Sequence, residues 1–592
     1  MSAWRLFFSS RRCRPLPILV LALVTTVSAQ ANNVLHYLPS NALGFVVIHD
    51  VTEASAKIER FMQLFEISLP APLTFVKYAT GLGEGIDQQG DVLVAMLPAA
   101  EVSSVWQPIV LLPIADYAQF AASVNGDASG EICRVTIAGE DVLVVKKDAY
   151  ALLMNIEHRE TLERLVARQP KPLSVLKPLQ PWLATTDVAF TLMPAGADKL
   201  FDLGRQKVAQ QEEDLSGEFD DPEFAEMLKQ IRKTWAFYHW VLELLDQQIK
   251  VAAVGVSFDE NMNVRLGKRV LLESSTGEPN HVASTKVDAS LLAGYRAGPF
   301  VVAGGGSFAP GWADWMAQLN RRLAQQFPEA EGYGHFQEED WQKVEQSYRT
   351  LYDGIRSFSF LMRPGSDQEP LLSNLFSIVT VEDSATYLES FKKSFELNNE
   401  LMRRSTLDVD LQYEISPVTI AGGKGYEMVA DLLTAFGGDN NVLFFDAVLK
   451  KVFGEDGKFR IFVVAADPTH VVSGIQSREK LAALVEDLRH NNSELQQQQS
   501  LQVTRQLLAS QPSWKMFVSP RGSIQFFSRF LNEVVAQFGP VVPQFPEYPA
   551  TPPIGFSMNL ANSVLAVDLV FPSETLAGLA KFIKACKEEF GG

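Results

Sequence analysis

Apolar and polar positions along this chain keep two rhythms. Val251-Ala252-Ala253-Val254-Gly255-Val256-Ser257-Phe258 runs close to period two, breaks at Asp259-Glu260-Asn261 and resumes as Val264-Arg265-Leu266. That pattern predicts a hairpin with one face buried. Ile554 to Asn559, returning over Val564 to Val570, predicts another. Gly44-Phe45-Val46-Val47-Ile48 follows the breakers Pro39 and Asn41 and reads as a strand. Thr52 then offers a cap for a helix from Glu53 to about Leu64. Ile109 to Ile114 reads as a strand, with Asp116 as the N-cap of the helix after it. The helical rhythm is clearest after Asp221-Pro222-Glu223, where Phe224, Leu228, Ile231, Trp235, Tyr238, Leu242 and Leu245 mark one face.

These segments recur in order. Val135-Thr136-Ile137-Ala138-Gly139 returns as Val418-Thr419-Ile420-Ala421-Gly422, and Arg159 to Val166 returns as Arg478 to Val485. Gly298 to Val302, followed by a glycine run, answers Gly44 to Ile48. Phe376 to Val381 with Asp383 answers Ile109 to Ile114 with Asp116. Phe517-Val518-Ser519-Pro520 answers Phe190 to Pro194. The offset grows from 255 residues (Phe45 to Phe300) to 283 (Val135 to Val418) and 319 (Arg159 to Arg478), as collinear copies with insertions in the second would give. The expected fold is α+β: two tandem pseudo-repeated lobes of mostly antiparallel sheet covered by helices. The lobes would span 32–275 and 291–592, joined by a polar linker at 276–290, with an insertion near 429–456 centred on a helix from Asn441 to Phe453.

The N-terminus changes the setting. Arg5, Arg11, Arg12 and Arg14 precede an apolar run from Leu16 to Val27, too short to span a membrane. This reads as a signal peptide over 1–31, cleaved near Ala29 or Ala31, so the mature chain is expected to be exported, to periplasm or exterior, with no transmembrane segment. Of 592 residues, 47% are hydrophobic and 21% charged, which predicts a globular core. The formal net charge is -18, and loss of the four leader arginines makes it more negative still. Such a field argues against nucleic acid as partner. Cys133 and Cys586 remain after the leader, and two lone cysteines in a large core are expected as buried thiols rather than a disulfide.

Candidate chemistry is sparse. The eight histidines are scattered without a ligand pair, so no metal and no cofactor are expected. His49-Asp50, at a strand end, is the best single acid–base candidate, beside scattered carboxylates that sequence alone does not pair; with no partner in view it reads as a solvent-facing strand end. Gly81-Leu82-Gly83-Glu84-Gly85 and Gly304-Gly305-Gly306-Ser307 complete no nucleotide fingerprint and read as turns, the second with a weak anion-site alternative. Asp259-Glu260-Asn261 lacks the glycine and glutamate of a calcium loop and reads as a hairpin turn. Trp235, Phe237, Tyr238 and Trp240 on the long helix offer an aromatic wall for an apolar ligand, against the simpler reading of a helix laid on a sheet.

Tyr37-Leu38-Pro39-Ser40-Asn41-Ala42-Leu43-Gly44-Phe45-Val46-Val47, directly after the leader, resembles a family of uncharacterised exported bacterial proteins whose mature domains open on a Leu-Pro-x-x-Ala-Leu strand. The resemblance implies strand–helix repeats and no assigned activity. The function expected from the whole is an exported, non-catalytic protein binding a protein partner or an apolar small molecule, with a hydrolase of envelope polymers or a structural envelope component as alternatives.

Overall fold

The computed structural model describes residues 34–67, 71, 73–74, 77, 82–99, 106–137, 139–218, 235, 238–243, 245–273, 290–309, 311–326, 337–404, 413–432, 442–509, 512–535 and 544–590. The leader, Gly81, the helix start at Asp221-Pro222, Phe237 and all of the linker but Ser290 lie outside them. The fold is α+β, antiparallel sheet with helices. The chain divides into two compact units, Met1–Ser274 with Asn562–Ala566, and Ser275–Ala561 with Val567–Gly592.

In the first unit, β1 (Gly44–Ile48) lies at the middle of its sheet, between β2 (Val92–Pro98) and β7 (Val188–Leu192). Beyond β2 come β3 (Trp106–Pro113), β6 (Tyr150–Asn155), β5 (Glu140–Lys147) and β4 (Cys133–Ile137). Beyond β7 come β8 (Ile249–Phe258) and β9 (Val264–Leu272), the predicted hairpin. Alternation puts Phe45, Val47, Leu93, Leu111 and Leu152 on one face, under helix α3 (Arg159–Ala167) and the turns carrying Leu176 and Leu183. Ile48, Val94, Val110, Val144 and Leu153 lie on the other, packed against α1 (Val51–Leu64) and α2 (Tyr117–Ser123). Asp116 caps α2 through the N–H groups of Ala118 and Gln119. The cap of α1 is Asp50, which accepts from Thr52 N–H at 3.2 Å, rather than Thr52 itself. Helix α4 (Pro194–Glu218) follows β7.

In the second unit β10 (Val302–Ser307) lies between β11 (Ile355–Met362) and β17 (Trp514–Val518). From β11 outward come β12 (Leu375–Val381), β16 (His470–Ile475), β15 (Phe459–Asp467), β14 (Gly423–Ala430) and β13 (Tyr413–Ile420), while β18 (Ile554–Ala561) flanks β17. Its helices include α5 (Trp312–Gln326), α6 (Glu338–Tyr352), α7 (Ser384–Arg403), α8 (Val442–Phe453), α9 (Arg478–Arg489) and α10 (Pro520–Glu533), with further helices over Glu494–Gln497, Gln499–Leu507 and Ser573–Phe590. One face carries a broad core of Phe376, Ile378, Phe462 and Val464 under Leu481, Leu484 and Leu488 of α9. The opposite face carries a much smaller one, with only Val381, Leu388, Met428, Val463 and Val471 fully buried, beneath α7.

Two hydrogen bonds give the units a common ruler. Met193 N–H donates to Leu43 O at 2.9 Å, and Ser519 N–H to Val301 O at 2.9 Å. Three residues on, Gly196 and Gly522 sit in the first helical turn after a proline, where a Cβ would fall within 2 Å of the carbonyl oxygens of Leu43 and Phe300. Each helix can press on the strand entry only because that position is glycine.

Two expectations need correcting. Gly304-Gly305-Gly306 is not a turn; it is the interior of β10, hydrogen-bonded on both sides. Glycine has low β propensity and reads as a breaker, yet here a Cβ on Gly305 would meet Phe358 O at 2.0 Å, so close strand approach demands it. The Val-Thr-Ile-Ala-Gly copies also do not occupy matching strands. β4 is the third strand out from β3, whereas β13 is the fourth out from β12. Helix α8 lies within 429–456, whereas the additional outer strand β13 precedes that segment.

Candidate functional site

Strand register identifies which side chains lie side by side on the face beneath α6 and α7. Gly304 opposes Phe360, Phe360 opposes Ser377, Ser377 opposes Ser473, and Ser473 opposes Val463. In the first unit the row at the same places reads Val46, Val94, Val110, Leu153, Val144. The common ruler fixes the match: Val46 and Gly304 each lie three residues beyond the carbonyl described above. Likewise Ile114 N–H donates to Ala149 O and Val381 N–H to Thr469 O, and Val110 and Ser377 each lie four residues before those donors. Three aliphatic positions of one unit are therefore glycine, serine and serine in the other.

Space opens beside the two serines, whereas Gly304 does not line it and Phe360 stands where the first unit has Val94. A cavity of about 230 Å³ lies over this face, lined by Phe308, Tyr352, Ile355, Phe358, Ser377, Val379, Tyr387, Phe391, Val463, Val471, Val472 and Ser473. Its floor is sheet, and α6 and α7 contribute Tyr352, Tyr387 and Phe391. Phe391 stacks between Tyr387 and Phe395, with centroids 6.3 and 5.8 Å away. Phe308 closes one end, edge-on to Trp514 at 5.7 Å, and the Trp514 ring lies where a Cβ on Gly306 would fall. Ser377 Oγ and Ser473 Oγ are 2.6 Å apart, a hydroxyl pair within an otherwise apolar floor. Burial pushes the Tyr387 hydroxyl up to about 12, with Tyr352 adding to the effect, so it stays a neutral donor. Among the described residues that line it, none is a carboxylate, ammonium, guanidinium or imidazole.

His49 is not the solvent-facing strand end expected. Its ring is 1% exposed. Nε2 donates to Leu183 O at 2.9 Å, and Nδ1 lies 3.2 Å from Asp91 Oδ1 without good hydrogen-bond alignment. Beside it Lys57 Nζ meets Asp187 Oδ1 at 2.9 Å, and Asp187 Oδ2 accepts Phe258 N–H at 2.6 Å. Asp91 Oδ1 accepts Asp50 N–H at 3.2 Å. This buried knot ties the end of β1 to α1, β7 and β8, and a substrate has no route to the ring. The second unit has no such knot at the matching place: Ser307 N–H donates to Ser513 O as His49 N–H does to Asp187 O, and Phe308 stands where Asp50 would.

The aromatic wall is only partly described. Trp235 is half-buried with its ring 6.0 Å from Tyr238, Tyr238 is 48% exposed and Trp240 is half-buried. Phe237 lies outside the described residues. The cavity floor was missed because a lone serine in a strand reads as its solvent face. The usable signal was Ser377 interrupting the apolar run Phe376 to Val379 and Ser473 directly after the β-branched pair Val471-Val472.

Asp259 Oδ1 accepts from Asn261 and Asn263 N–H, the hairpin turn as read. Cys133 and Cys586 are free. Among the described residues no cluster of three His, Cys, Asp or Glu could hold a metal ion, and no helix is long and apolar enough to cross a membrane. No family model matches the chain, and no curated protein or solved structure matches it either.

Proposed function

We propose that this is an exported, non-catalytic ligand-binding protein, released from its leader near Ala29 or Ala31, in which one ancestral strand-and-helix unit was copied and the second copy carries an aromatic-lined, uncharged cavity; the first unit's cavity of about 250 Å³ is lined by polar and charged residues, Asp87 and His36 among them. The first unit would serve as scaffold. The observation that carries this is that Ser377 and Ser473 stand where the first unit has the buried pair Val110 and Leu153. The cavity of about 230 Å³ is partly open to solvent, so a small molecule can reach it. Refilling it with aliphatic side chains is chemically simple, since the first unit shows which ones fit the same register. A cavity left unfilled and lined with aromatic rings supports binding of a small apolar molecule.

The test is to restore the row. Ser377→Val with Ser473→Leu should raise the melting temperature by a few degrees and abolish the fluorescence enhancement of N-phenyl-1-naphthylamine, a neutral apolar probe, that the wild type gives. A wild type that fails to enhance the probe, or a variant that binds it unchanged, sinks the reading.

A further inference from the structure

The chemistry of the lining narrows the ligand further, on the assumption that the cavity is a binding site as proposed above. Five of the twelve lining residues are aromatic: Phe308, Tyr352, Phe358, Tyr387 and Phe391. Their rings come from a strand, two helices and the loop after β10, so they wall the space from several sides and favour a flat partner. Among the described residues, no lining side chain carries charge. A carboxylate or ammonium entering here would lose its hydration with nothing to replace it. The volume suits a ring system rather than a long acyl chain.

The serine pair supplies the polar contact. Two hydroxyls carry two hydrogens, and at 2.6 Å one of these bridges Ser377 Oγ and Ser473 Oγ. One hydrogen is left to point into the cavity, together with acceptor lone pairs. That satisfies a single oxygen on the ligand. In the first unit the matching pair is Val110 beside Leu153, which offers nothing of the kind.

We infer that the second unit binds an uncharged, flat, ring-bearing molecule with a carbonyl or hydroxyl oxygen, seated against the Ser377–Ser473 pair with its ring between Phe358, Tyr387 and Phe391.

Displacement of N-phenyl-1-naphthylamine from the full-length mature protein tests this. 2-Naphthol and 1,4-naphthoquinone should displace the probe about five- to tenfold more tightly than naphthalene, which lacks the oxygen. 2-Naphthoate and decanoate should be at least about tenfold weaker than 2-naphthol because each buries a charge. Ser377→Ala with Ser473→Ala should keep probe binding and bring 2-naphthol and naphthalene to equal affinity. Unchanged circular dichroism and melting would show that this variant folds, and Ser473→Thr, which keeps a hydroxyl, should retain part of the preference. Equal displacement by naphthalene and 2-naphthol in the wild type, tighter displacement by either anion, or a preference that survives the double alanine variant would overturn the inference while leaving the cavity a binding site. Absence of any probe signal in the wild type overturns both.

Discussion

One row of side chains crosses the sheet of each unit, and the two rows are built differently. Val46, Val94, Val110, Leu153 and Val144 fill the first, whereas Gly304, Phe360, Ser377, Ser473 and Val463 make the second. The same contrast holds at the strand end. β1 finishes in a buried knot of His49, Asp91, Lys57 and Asp187, and β10 finishes in Ser307 and Phe308, the latter a wall of the cavity. Strands with the same neighbours can thus carry packing residues on one face in one unit and cavity-lining residues in the other. Interiors are close-packed, and loss of volume on this scale without local collapse is unusual in a face that serves stability alone.

The largest effect should come from cutting the knot. Lys57 and Asp187 are almost wholly buried, and removing one partner strands the other charge. Asp187→Ala should therefore lower stability by about 3–5 kcal/mol in urea unfolding. It also orphans Phe258 N–H. Ser513→Ala, at the matching place of the second unit, should change stability by about 0.5 kcal/mol or less. A cost for Asp187→Ala as small as for Ser513→Ala would erase the distinction between the two strand ends.

Next in size is the reverse graft. Leu153→Ser places the second unit's residue into the first, opposite Val110 and Val144. Helix α2 brings Tyr117 and Phe120 to this face, within a closely packed cluster that also holds Ile48 and Val124. The expected loss is about 2–4 kcal/mol, with no gain in N-phenyl-1-naphthylamine binding. Probe uptake by this variant would mean that either unit can open a cavity, and that the second was not specialised.

Much of the scaffold could be read from the residues, because period-two alternation and Asp caps are local signals. The hairpin at Asp259, the cap at Asp116 and the helix over 442–453 depend on neighbours within a few positions. What escaped depends on distance along the chain. Ser377 and Ser473 meet across 96 residues, and each alone is one polar residue in an apolar strand. His49 reads as exposed because its partner Leu183 O lies 134 residues away. Gly304 to Gly306 reads as a turn because the reason for glycine, the approach of Phe358 O and Lys515 O, belongs to other strands. The Val-Thr-Ile-Ala-Gly match misled in the opposite sense, since both copies sit in a strand leading to a tight turn and short identity there reports turn chemistry rather than sheet position.

The smallest effect tests how the second unit holds the helix that the first unit also has. Arg478 to Val485 repeats Arg159 to Val166, but Lys480 stands where Thr161 does and reaches Glu369 at 2.7 Å. Burial would raise the Glu369 carboxyl. The Lys480 ammonium, the Asn374 amide and Ser366 N–H outweigh it and hold the group down at about 2. A carboxyl depressed in the folded state adds stability above its unfolded value, near 4.3, and loses that contribution as pH falls through the folded value. Glu369→Gln should therefore cost about 1 kcal/mol at pH 7, discounted for a side chain one-third exposed. The difference from wild type should shrink steadily between about pH 4.5 and pH 2. Thr161→Ala in the first unit should show no such pH dependence, because that helix carries no counterpart of the ion pair at this position. A Glu369→Gln deficit that stays constant down to pH 2 would assign the effect to packing and remove the electrostatic anchor from the account of how this helix is held.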